Sequence, residues 1–112
     1  MTFDFNKIRR ETFDVILPND KEVSLHILRP TKAQLEEYIS SAEEINKINE
    51  TKKVSAEQQK LLVEIGVNIL SRNKENRIFT TDEVNKIFDI DDLFMLFDAY
   101  LDYVFDLSNL KN

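Results

Sequence analysis

Thr12-Phe13-Asp14-Val15-Ile16-Leu17-Pro18-Asn19-Asp20-Lys21-Glu22-Val23-Ser24-Leu25-His26-Ile27-Leu28 decides how the chain begins to fold. Both halves are rich in β-branched and aromatic residues and alternate in polarity, so Phe13, Val15 and Leu17 share one strand face. Val23, Leu25 and Ile27 share one face of a second strand. Between them Pro18 presets φ, and Asn19 and Asp20 tolerate turn conformations. The stretch predicts a β-hairpin over about residues 12–28. Phe3–Ile8 is read as a short edge strand beside it.

After the hairpin the periodicity changes from strand to helix. Pro30 ends the second strand and Thr31 can cap a helix over about 32–48, whose narrow apolar stripe is Leu35, Tyr38, Ile39, Ala42 and Ile45. The polar run Asn46–Lys53 reads as a mobile connection. Ser55 with Gln58 forms a capping box that opens a helix over about 56–72. Leu61, Leu62, Ile65 and Ile69 cover one side of it, and Val63, Val67 and Leu70 much of the other, so this helix is expected at the centre of the fold. Gly66, the only glycine of the chain, sits in its middle at a cost of about 1 kcal/mol relative to alanine. Close approach of a neighbouring element would explain it, as would accident.

Asn73–Arg77 reads as a polar loop. Thr80 and Glu83 then make a second capping box, with Phe79 placed to staple onto Val84, for a short helix over about 81–88. Asp89 can cap a last helix over about 90–107, with Asp91 and Asp92 favourable to its dipole. The expected architecture is α+β and mainly helical: one domain over 1–112, with an N-terminal hairpin followed by about four helices.

Composition narrows what such a domain can do. At 112 residues the chain can bury roughly 60–70% of its unfolded surface, which is enough for one core. It has no cysteine, which removes disulfides, zinc–thiolate sites and cysteine nucleophiles. No apolar run approaches a membrane span, and Met1–Asn6 does not read as a secretory signal, so no membrane association and a cytosolic location are expected. Of 15 basic and 21 acidic side chains, 13 of each lie in residues 1–79. The remaining two and eight lie in 80–112, so the net charge of −6 sits in the last third. That sign repels phosphate backbones, and nucleic acid is not an expected partner there.

The chemistry of a catalytic site is hard to assemble from these residues. His26 is the only histidine; it alternates away from the apolar strand face, and the sequence lines up no carboxylate with it. A single glycine leaves no room for a glycine-rich phosphate loop. Asp89-Ile90-Asp91-Asp92 has the start of a calcium loop, but its sixth position is Phe94 and its twelfth Tyr100, where glycine and glutamate are needed. Asp98, Asp102 and Asp106 recur along one helical face. Like charges at that spacing are ordinarily a solvated stripe; a basic partner and a divalent ion are the other readings. Ser and Thr lack an activating base. No enzyme activity, cofactor or metal is expected.

The last helix is the most informative element. Leu93, Leu96, Phe97, Tyr100 and Val104 make a core stripe, Phe94, Leu101 and Phe105 extend it to one side, and Tyr103 extends it to the other. The apolar arc covers roughly 200°, more than a simple surface helix needs. Either the helix is sandwiched and all these groups are core, or the stripe packs inward and the Phe94–Leu101–Phe105 flank meets another protein. The candidate partner-binding residues are Phe94, Leu101, Phe105 and Tyr103 with the acids Asp98 and Asp102. An apolar surface rimmed by acid suits a partner with apolar helices and lysine-rich edges.

The order of local sequences carries a resemblance. A Leu17-Pro18-Asn19-Asp20-Lys21-Glu22-Val23 turn precedes His26-Ile27-Leu28-Arg29-Pro30-Thr31 at a helix start. Then come Ile69-Leu70-Ser71-Arg72-Asn73-Lys74, Phe79-Thr80-Thr81-Asp82-Glu83-Val84, the Asp92–Phe105 helix and a terminal Asn109-Leu110-Lys111-Asn112. From about Phe13 to Asn112 the chain resembles the short tail assembly chaperones of long-tailed bacteriophages and prophages of Gram-positive bacteria. The resemblance implies a protein that binds and solubilises the tape measure protein in the host cytoplasm and is displaced as tail tube subunits polymerise. It also implies a tendency to self-associate as a homo-oligomer, and a longer form made by ribosomal frameshifting. It carries over no catalytic or cofactor residue. The other readings are a small acidic adaptor or regulatory protein and a structural phage protein, both acting through protein–protein binding.

Overall fold

The computed structural model describes residues 2–5, 11–51 and 53–106. Two strands, β1 (Phe13–Ile16) and β2 (Ser24–Ile27), are followed by four helices: α1 (Lys32–Thr51), α2 (Ala56–Ser71), α3 (Thr81–Ile87) and α4 (Ile90–Phe105). The chain is α+β and mainly helical, with a hairpin at the N-terminal end, as its periodicities predict.

The strands pair antiparallel, Phe13 opposite Ile27 and Val15 opposite Leu25. Their shared face turns inward: Leu17, Leu25 and Ile27 are buried, and Phe13, Val15 and Val23 pack against them. Asn19 takes φ 60° in the connecting turn, a left-handed conformation that asparagine tolerates better than most side chains. The free edge of β2 is covered by the segment after α2. The Leu28 N–H donates to the Arg72 carbonyl at 2.8 Å, the Lys74 N–H donates to the His26 carbonyl at 3.0 Å, and Ile27 bridges Asn73. An edge strand over Phe3–Ile8 is not formed by residues 3–5; the rest of that stretch lies outside the described residues.

All four helices start on reciprocal caps. Thr31 and Gln34 exchange side-chain-to-backbone bonds at 3.0 and 3.2 Å, and Ser55–Gln58, Thr80–Glu83 and Asp89–Asp92 do the same. These devices are local, so their residue types are enough to place them. The end of α1 differs from expectation. Its helix continues through Asn46–Thr51, where a mobile connection was expected. Ile48 is the reason: it follows Ile45 by one turn and is buried to 3% exposure, and no glycine or proline interrupts the turn. Ile39 falls on the other side of the expected boundary. It stands off the Tyr38–Ile45 stripe and is exposed.

α2 is central, packing against α1, α3, α4 and β2. Gly66 is buried in it, and a β-carbon there would sit 3.0 Å from Leu93 Cδ2 and 3.5 Å from Val84 Cγ1. The glycine therefore lets α3 and α4 approach the α2 backbone. The loop between α2 and α3 is polar, as its sequence suggests, but it is organised by the buried Asn73. The Asn73 amide donates to the Leu70 and Arg77 carbonyls at 2.7 and 2.8 Å, and its carbonyl oxygen accepts from the Arg77 N–H at 2.9 Å.

Candidate partner-binding surface on the C-terminal helix

At about 100° per residue, α4 divides into three sectors. Leu93, Leu96, Phe97, Tyr100, Tyr103 and Val104 occupy one sector and are all buried. Next to it Ile90, Phe94 and Leu101 are half-buried and pack on the core from its edge. Phe105 lies at the outer border of that flank and is 56% exposed. Beyond it come Asp98, Asp91 and Asp102, all exposed, and then Met95, which is 62% exposed. The helix is therefore neither fully sandwiched nor split cleanly into core and surface: its apolar arc grades from core to solvent and meets the acids at Phe105.

The expected binding residues separate accordingly. Phe105, Asp98 and Asp102 lie on the outer face, and Phe94 and Leu101 line its apolar shoulder. Tyr103 does not join them. It lies on the opposite side of the core sector, its ring packs near Phe13 and Tyr100 with centroids 5.6 and 5.8 Å away, and its hydroxyl donates to the Glu11 carbonyl. The Arg29 guanidinium covers that ring at 5.4 Å. Tyr103 is therefore committed to holding the hairpin and stands apart from the candidate surface. Met95 carries no signal in the sequence, because it shares its side of the helix with Asp91, Asp98 and Asp102, which read as a wholly solvated face.

Ile90 connects the shoulder to a groove of about 430 Å³ between the starts of α2, α3 and α4. Val63, Phe88, Ile90 and Leu93 supply apolar walls, and Gln59, Lys60, Thr81 and Asn85 supply polar ones. The groove and shoulder together make a partly apolar track along α4, bordered by carboxylates on its outer side.

No family model matches the chain, and no curated protein or solved structure does. Among the described residues no group of three histidine or acidic side chains is arranged to hold a metal ion, and no helix is long and apolar enough to cross a membrane.

His26 has acquired a partner that spacing could not reveal. Its ring Nδ1 lies 2.9 Å from Glu75 Oε2, and its backbone N–H donates to Glu75 Oε1 at 2.7 Å, across 49 residues of chain. These bonds, the backbone one foremost, hold the Glu75 carboxyl below the usual carboxylate range. The pair is exposed on the rim of the hairpin and ties the α2–α3 loop to β2. Burial pushes the Tyr38, Tyr100 and Tyr103 hydroxyls up from the ordinary phenol value, and nearby guanidinium charge partly opposes the shift.

Proposed function

We propose that this chain acts by binding another protein rather than by catalysis, and that it is a tail assembly chaperone which keeps the tape measure protein of a phage or prophage tail soluble in the host cytoplasm. The observation that supports binding is the α4 surface. A phenylalanine more than half exposed ends an apolar shoulder, and Asp91, Asp98 and Asp102 rim it on the same helix. Apolar side chains of a helical client would lie on Phe94, Leu101 and Phe105, and lysines on the client's edges would face the aspartates. Such rim charges speed encounter and select sign more than they add affinity, and salt screens them.

The identity of the client rests on the resemblance of the chain's layout to the tail assembly chaperones. Co-expression tests it directly. With this chain in excess, the tape measure protein of the same phage or prophage is expected in the soluble fraction and to co-purify. Insolubility of that client under the same conditions would remove the chaperone reading. A client that stays soluble without being bound would do the same.

A further inference from the structure

Phe3 and Phe5 meet edge to face, their ring centroids 4.7 Å apart at an interplanar angle of 80°. They are 67% and 71% exposed, and neither belongs to the core or to the half-buried shell packed on it. Two neighbouring rings open to water make a contiguous apolar patch, and such patches mark interaction surfaces. The groove between the starts of α2, α3 and α4 is an apolar recess of about 430 Å³ that has no side chain seated in it.

The rings and the groove belong to opposite ends of α4. The chain that carries the rings is rooted at Glu11, which the Tyr103 hydroxyl holds near the end of that helix. Val63, Phe88, Ile90 and Leu93 wall the groove at its start. Tyr103 and Ile90 are about 20 Å apart along α4 and about 140° apart around it. Six residues span at most about 20–22 Å when fully extended. To reach its own groove, Phe5 would have to leave Glu11 on a taut chain and still round the helix. A second copy set antiparallel along α4 meets no such limit. Its groove lies beside this copy's Glu11, and its Glu11 lies beside this copy's groove.

We propose that two copies of this chain exchange these arms, each seating Phe3 and Phe5 in the other's groove. The two surfaces match in chemistry. Phe88 offers a ring among the apolar walls, and among the lining residues Lys60 alone is charged. The arm residues Thr2–Phe5 carry one charge of the opposite sign, Asp4, between the two rings. The area argues for exchange in both directions. A buried phenylalanine removes about 150–250 Å², so one arm with an equal area of groove hides roughly 600–1,000 Å², less than a stable interface needs. Two hide roughly 1,200–2,000 Å², the ordinary size of a specific interface. The contact is then isologous and closes at two copies.

Sedimentation equilibrium of the full chain over a hundredfold range of concentration tests this. The expected result is a reversible monomer–dimer equilibrium. Its Kd is expected to rise at least tenfold in the double variant Phe3→Ser, Phe5→Ser, and at least twofold in Lys60→Glu, an exposed position. An isotope-filtered NOESY on methyl-labelled chain mixed with unlabelled chain locates the contact. Ring protons of Phe3 and Phe5 from unlabelled copies are expected against the Val63, Ile90 and Leu93 methyls of labelled ones. That spectrum needs no variant and decides the matter should either variant fold poorly. A monomer at every concentration overturns the proposal. So does a dimer that the folded double variant forms equally well, or ring–methyl contacts confined to one chain.

Discussion

The Tyr100 hydroxyl, deep in the core of α4, donates to the Leu28 carbonyl at 2.7 Å, across 72 residues of chain. It fixes the last helix to the exit of the hairpin at the point where β2 gives way to the turn before α1. Tyr38 of α1 meets the same aromatic cluster, its ring 6.0 Å from Tyr100 and 6.5 Å from Phe97. Its own hydroxyl is buried and, among the described residues, has no hydrogen-bond partner. Two tyrosines of equal burial thus differ in one respect: one hydroxyl is spent on a carbonyl and the other is stranded.

Removing each hydroxyl should therefore have opposite signs. Tyr100→Phe leaves the Leu28 carbonyl without its donor and is expected to cost about 1–2 kcal/mol. Tyr38→Phe removes an unsatisfied buried group and is expected to be neutral or to stabilise by up to about 1 kcal/mol. Urea unfolding of the two variants, with slopes unchanged from the parent, measures both.

Gly66 sets a size limit on the α2 backbone. Alanine gains about 1 kcal/mol of helix propensity but sets its methyl 3.0 Å from Leu93 Cδ2, so Leu93 must shift inside the core. The two effects oppose, and Gly66→Ala is expected within about 1 kcal/mol of the parent. Gly66→Val adds bulk toward Leu93 and Val84 and is expected to cost about 1–3 kcal/mol or more. The comparison is made by urea midpoint.

What could be read from the sequence was what is decided within a few residues. The Thr31, Ser55, Thr80 and Asp89 caps, the hairpin faces and the core stripe of α4 each follow from local spacing. The misread pieces were settled by contacts distant in sequence. Ile48 reads as part of a loop because its neighbours are polar, yet it is buried one turn after Ile45 and the helix runs past it. Tyr103 looked like one edge of a binding arc until the hairpin, some 90 positions earlier, covered it. Glu75 and His26 carry no spacing signal at all. Phe94, Leu101, Phe105 and the two aspartates were legible because helical geometry alone places them beside one another.

The His26–Glu75 pair gives an acid-side test. The folded-state pKa of Glu75 lies below its unfolded value of 4.5. The stabilisation linked to it is therefore present above pH 4.5 and is lost as pH falls through the lowered value. Glu75→Gln is expected to lower Tm near pH 6, and the gap from the parent is expected to close on acidification below pH 4.5. A thermal unfolding series from pH 3 to 7 measures that gap.

If the chain captures a client on α4 as proposed, the aspartates of that helix should govern the salt dependence of capture. Asp98→Asn together with Asp102→Asn removes two exposed charges beside the apolar shoulder. Stability is expected to change by less than about 0.5 kcal/mol or to rise slightly, since like charges one turn apart repel. Association with the client is expected to slow and to become less sensitive to salt, as stopped-flow measurements between 50 and 300 mM NaCl would register.

On the proposed surface, Phe105 separates binding from folding more cleanly than the half-buried Phe94 and Leu101. At 56% exposure its ring contributes little to the core, and Phe105→Ser is expected to unfold within about 0.5 kcal/mol of the parent. Phe94 is half-buried against the core, so Phe94→Ser carries a stability cost of its own and confuses a loss of binding with a loss of fold. Phe97→Ala marks the far end of the scale, since truncating a ring buried to 2% exposure costs about 3–5 kcal/mol. In co-expression with the tape measure protein, Phe105→Ser is expected to reduce the soluble client several-fold while the variant itself remains folded by circular dichroism. Undiminished capture by that folded variant would move the interface off the outer edge of α4, leaving the groove around Val63, Phe88 and Ile90 as the place where a client helix would have to sit.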